Sequence, residues 1–166
     1  KNTSFLVFSF ALLFLGFYTL DYTHFSILPF DYLIYKKLIM ASLYISVSLS
    51  SFGMYKFFDC KSDLVMSIIT ISGYALIAVF TSNMIIFKTL YNYFNLAIIA
   101  NLISWLCTSH KHYRKTDEAK MFFFGTAMLL LFALTNILST LLGKVLTLNS
   151  PFVFSLVFSM TTTILF

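Results

Sequence analysis

The stretch Met128-Leu129-Leu130-Leu131-Phe132-Ala133-Leu134 contains no polar side chain and none of the apolar–polar alternation of a membrane barrel strand. It lies inside a longer apolar block from 121 to 142, bounded by Lys120 and by Gly143-Lys144. About 20 apolar residues wound as a helix are enough to cross the hydrocarbon of a bilayer. Every backbone N–H and C=O must find its partner within the chain in that solvent, and a helix meets the requirement alone. Gly143 suits a left-handed helix cap and Lys144 the negative end of the helix dipole, so the block predicts a helix that stops there.

Five further blocks of similar size fill most of the remaining chain, at 4 to 20, 38 to 58, 64 to 82, 89 to 107 and 146 to 166. Composition points the same way. Of 166 residues, 60% are hydrophobic and 10% charged, with a mean hydropathy of +0.90, whereas a soluble domain carries about 25% charged residues. Five Gly and two Pro exclude collagen-like and Pro/Gly-rich disordered chains. The predicted fold is therefore all-α: a polytopic integral membrane helical bundle of about six transmembrane helices, a single domain over 1–166 without repeat or linker.

The polar chemistry is confined to the breaks. Asp21, His24, Pro29, Asp31 and Lys36-Lys37 occupy the first, and Lys56, Asp59, Lys61 and Asp63 the second. Asn83 and Lys88 mark a third, and Ser109 to Lys120 is the one strongly hydrophilic run. Alternating the breaks across a membrane puts seven of the eleven basic residues on the side of the 109–120 loop, and the positive-inside tendency makes that side, with both chain ends, cytoplasmic. The net charge of +5 then reflects topology and contact with anionic headgroups; nucleic-acid binding would need a larger solvated basic surface. Cys60 and Cys107 fall on the inner side, where reduced thiols are the rule.

Several residues stand out against this apolar background. Cys107, His110 and His112 form a C-x2-H-x-H cluster that could supply three ligands to zinc, against the plainer reading of surface histidines in a basic loop. Ser42, Ser46 and Ser50 recur at every fourth position of the second block. Such a stripe lets another backbone approach closely and offers hydroxyls for interhelical bonds. Asn95 and Asn101 in the fourth block, and Asn136 with Thr135 and Thr140 in the fifth, are costly to leave facing lipid and are predicted to point inward, as a polar pocket or as an interhelical clamp.

No Asp, Glu, Lys, Arg or His falls in the middle of any block, which argues against proton pumps, carboxylate-driven transporters and voltage sensors. Paired nucleophile and base, H-E-x-x-H and phosphate-cradling Gly loop are also missing from the sequence, so no enzyme and no cofactor is expected.

Two stretches resemble the membrane region of the bacterial seven-helix receptors with diverse intracellular signalling modules, the DISM family. The first runs from Phe5 to Phe58 and includes Pro29-Phe30-Asp31-Tyr32-Leu33 and Lys36-Lys37-Leu38; the second is Tyr113 to Phe122, a basic loop with an Ala-Lys-aromatic entry to a long helix. Phe158 to Thr163 departs from the family pattern. The resemblance implies that the six blocks match the last six of seven helices. It also implies a non-enzymatic sensory module that relays a cue by helix repacking, in a bacterial inner membrane.

Composition supports a second reading. Heavy use of Phe, Tyr, Ile, Asn and Lys, one Arg and no Gln suit a structural subunit of a respiratory or ATP synthase complex, organelle-encoded, in an organelle inner membrane. A small-solute channel or transporter is a third. The partners implied are the lipid bilayer and other membrane subunits or a second copy of the chain.

Overall fold

A computed structural model describes residues 2–19 and 31–141. Every element among them is a helix: α1 (Asn2–Thr19), α2 (Tyr32–Phe58), α3 (Lys61–Phe80), α4 (Met84–Phe94), α5 (Leu96–His112) and α6 (Asp117–Leu141). The block predicted at 146 to 166 lies outside the described residues. Three stretches are long and apolar enough to cross a membrane: α2, α3 and Met84–His112, which joins α4 to α5. The chain divides into two compact units, Lys1–Asn101 and Leu102–Phe166.

Local chemistry sets the helix ends. Asp31 caps α2 by accepting the Leu33 N–H at 3.0 Å. At its other end Asp59 adopts a left-handed conformation (φ 55°) and its N–H reaches Tyr55 O, closing the helix before a two-residue link to α3. Asn83 caps α4 through the Ile85 N–H at 2.7 Å. Thr116 caps α6 through the Ala119 N–H, and Asp117 and Glu118 occupy the first turn, where the dipole favours negative charge.

α2 begins six residues before the block predicted for it, because both lysines of the supposed break are accommodated on the helix. Lys36 lies over the Tyr32 ring with Nζ 5.8 Å from its centroid. Lys37 extends to the C-terminal end of α3, donating to Ala78 O at 2.7 Å and to Thr81 O. Its ammonium lies 6.0 Å from the Phe87 ring centroid. Asp63, in the first turn of α3 and fully buried, places an acidic side chain at the other end of the same helix. The macrodipole of α3 is thus matched at both termini.

In the first unit α2 packs against α1 on one side and α3 on the other. Ser4, Phe8, Ala11 and Leu15 form the buried stripe of α1, four or three residues apart as a helix face requires. The Phe8 ring rests on Gly53, where an added Cβ would come within 2.9 Å of it. Phe94 of α4 uses Gly73 of α3 the same way, at 2.7 Å.

α3 inverts the pattern of a helix on a water-soluble protein. Its buried residues are Asp63, Ser67, Thr70 and Tyr74, while its outward side carries Val65, Ile68, Ile69, Leu76, Val79 and Phe80, the last two 75% and 80% exposed.

In the second unit the end of α5 and the start of α6 meet through aromatic rings. Phe123 lies 5.6 Å from His110 and 5.4 Å from Tyr113 between ring centroids, the latter edge-on.

Candidate functional site

The four buried polar residues of α3 are spaced four, three and four apart, so they form one seam about 16 Å long along the helix. Hydrogen bonds tie the seam to neighbouring helices at three levels.

Nearest the α2–α3 link, Ser48 and Ser67 bond reciprocally. The Ser48 hydroxyl reaches Ser67 O at 2.9 Å and Ser67 Oγ at 2.8 Å, and the Ser67 hydroxyl donates to Ser48 O at 2.8 Å. Both side chains are buried, so each backbone carbonyl acquires a second donor without opening its helix.

One turn on, Asn101 of α5 joins three helices. Its Nδ2 donates to Thr70 Oγ1 on α3 and to Ala97 O on its own helix, both at 2.7 Å, and its Oδ1 accepts from the Ser51 hydroxyl of α2 at 2.6 Å. The Thr70 hydroxyl donates its own hydrogen bond to Met66 O at 2.7 Å. Asn101, Ser51 and Thr70 are all fully buried. Both amide hydrogens are used and the oxygen is engaged, so the node is closed.

The third level is aromatic. Tyr44 stacks on Tyr74 with centroids 4.7 Å apart and planes 23° apart, and touches Phe94 at 5.0 Å. The Tyr74 hydroxyl donates to Lys37 O, and the Tyr44 hydroxyl donates to Asn95 Oδ1 at 2.9 Å. Asn95 stands at the turn between α4 and α5, half-buried, and its two amide hydrogens have no partner among the described residues.

The stripe Ser42, Ser46 and Ser50 is buried, but interhelical bonds come from Ser48 and Ser51 beside it. Ser42 donates to Ile39 O on its own helix at 2.6 Å, and Ser50 Oγ has no partner among the described residues. Asn136, Thr135 and Thr140 fall on α6, and their side chains lie outside the described residues.

Cys107, His110 and His112 sit on one continuous helix, where about 100° per residue throws the two histidines to nearly opposite sides. His112 Nδ1 meets Thr108 O at 3.0 Å, His110 packs on Phe123, and Cys107 is exposed. The described residues hold no group of three or more His, Cys, Asp or Glu side chains placed for a metal ion.

Ser48 and Ser51, which the sequence places beside the serine stripe, carry the seam on α2, whereas Ser67, Thr70, Tyr44 and Tyr74 were not singled out from sequence. The signal available was the 63-67-70-74 spacing of polar residues on an otherwise apolar helix. Comparison with protein-family models, with curated proteins and with solved structures gives no match.

Proposed function

We propose that this chain is an integral membrane protein of six spans, with α4 and α5 forming one broken span and the 109–120 loop cytoplasmic. The observation that carries the proposal is α3, whose polar residues are buried and whose large apolar residues face outward. In water that arrangement would expose a costly apolar surface; in hydrocarbon it costs nothing. Labelling Lys36 and Lys111 with a membrane-impermeant amine reagent in sealed vesicles tests the topology. The lysines should label from opposite sides, and labelling from one side overturns it.

Within that frame the reading favoured is a non-enzymatic relay, in which a cue changes the register of α2 against α3 and α5. What supports it is the seam itself. Its bonds are discrete, so α2 cannot slide gradually; it either holds this set of partners or exchanges it for another, and such stepwise shifts between packed helices are a known means of transmission. The resemblance to DISM-type receptors agrees with this role. Spin labels on α2 and α5 of the chain in nanodiscs should show two distance populations, with Asn101→Leu changing their ratio. A single distance unaffected by the substitution overturns the relay.

The second reading, a structural subunit of a larger membrane assembly, is favoured by one specific feature: polar side chains on the outward face of α4 that no described residue satisfies.

A further inference from the structure

We propose that the face of α4 carrying Lys88, Asn92 and Asn95 is the contact surface for a partner transmembrane helix, one that brings a carboxylate to Lys88 and a hydrogen-bond acceptor to the two amides. The inference rests on the membrane reading above and is independent of the relay.

Among the described residues, α4 is fastened along one side only. Phe87 is buried there, and Tyr91 and Phe94 pack against Tyr44. Beside that contact run Lys88, Asn92 and Asn95, four and three apart and therefore on one stripe. Lys88 and Asn92 are exposed, and neither has a hydrogen-bond or ion-pair partner among the described residues. Asn95 uses its oxygen on Tyr44 and leaves both amide hydrogens unpaired.

Depth makes this consequential. Counting from Met84 at about 1.5 Å per residue, Lys88 lies about 6 Å in, Asn92 about 12 Å and Asn95 about 16 Å, close to the middle of a hydrocarbon layer about 30 Å thick. A lysine near a helix end can lift its ammonium toward the headgroups; an asparagine cannot. Asn101, six residues further on, shows how the same chain treats an amide it buries itself, with every donor used. The amides at 92 and 95 find no such partner among the described residues.

Charge selects the occupant. A second copy related by a two-fold axis would set Lys88 against Lys88 in a low dielectric, and the exposed neighbours Ile85, Ile86, Leu90, Tyr93 and Leu96 offer no carboxylate. A lipid phosphate can neutralise Lys88 but does not reach the depth of Asn95. A helix from a different chain, with an acidic residue near one end and an amide or hydroxyl at its middle, satisfies all three residues together.

The test reconstitutes the full chain in phosphatidylcholine vesicles, after confirming that the chain and each variant resist carbonate extraction. A chain that washes off overturns the membrane reading along with this one. Association is then read by energy transfer to a synthetic Leu/Ala transmembrane peptide bearing one Glu a turn from its end and one Gln at its centre, against the same peptide without them. At least tenfold tighter association of the Glu/Gln peptide is expected, with the advantage lost in Lys88→Leu and in Asn92→Leu. Equal association of the two peptides overturns the proposal, as does an advantage that both variants retain. Self-association of the peptide-free chain that Asn92→Leu abolishes overturns it in favour of a second copy as the occupant.

Discussion

The Ser51 hydroxyl on α2 donates to Asn101 Oδ1 on α5 at 2.6 Å, with both side chains fully buried. Because the same amide also donates to Thr70, the loss of Asn101 removes a bond to each of two helices, α2 and α3. Asn101→Leu should therefore lower stability by about 1–2 kcal/mol, because two interhelical bonds of about 0.6 kcal/mol each are lost together. Ser51→Ala takes away only the Asn101 bond on the α2 side and should cost less, about 0.6 kcal/mol for that bond. Unfolding in bicelles followed by steric trapping measures both, and equal effects would show that the node does not act as a unit.

Glycine substitutions should divide by what faces them. Gly73→Ala pushes a methyl to within 2.7 Å of the Phe94 ring, and Gly53→Ala to within 2.9 Å of Phe8. Each should destabilise by about 1–3 kcal/mol. A Cβ at Gly16 meets nothing within 4 Å, and Gly16→Ala should stabilise by about 0.5–1 kcal/mol through helix propensity. The same unfolding assay ranks the three.

Lys37→Met keeps the length and removes the ammonium from Ala78 O and Thr81 O. Loss of a charge-assisted contact of this kind costs about 1.5–3 kcal/mol, and the effect should be local. Hydrogen exchange of residues 78–84 should speed up while that of 64–70 stays unchanged; uniform acceleration would instead mean global loosening.

At the start of α6, Lys120 donates to Asp117 at 2.7 Å. The hydrogen bond and the charge of Lys120 hold the Asp117 carboxyl below its usual range, and Asp117 in turn raises Lys120. The support from Asp117 is present above the unfolded carboxyl value near about 3.9 and fades as pH falls through the lower folded value. For Lys120 it is present below about 10.4 and fades as pH rises past the elevated one. Both groups are fully exposed, so the consequence is fraying of the first turn rather than unfolding. Carboxyl NMR should show Asp117 titrating higher in Lys120→Gln than in the parent.

What could be read from the sequence was governed by how much each residue's role depends on its own helix. The apolar blocks of α2 and α3 are visible because length and composition are local properties. Lys36 and Lys37 misplace the start of α2 because a charge looks like a break until its partners, Tyr32 and the end of α3, are known. Asn101 is conspicuous as an amide among apolar residues, yet its partners Ser51 and Thr70 lie 50 and 31 positions away, and no spacing within one segment announces them. For His110 and His112 the sequence left a weak ligand reading beside the plainer one of surface histidines, since whether neighbouring side chains converge depends on the backbone, and the helix continuing through His112 turns the two rings apart.

The four-three-four placement of Asp63, Ser67, Thr70 and Tyr74 also makes α3 intolerant of a change in length. A one-residue insertion or deletion between Asp63 and Tyr74 would turn everything beyond it by about 100°, carrying the later seam residues away from Ser48, Asn101 and Tyr44 and rotating isoleucines into their place. Indels in this chain should therefore be accommodated before Lys61 or after Thr81, whereas point substitutions on the outward side of α3 can drift among apolar residues.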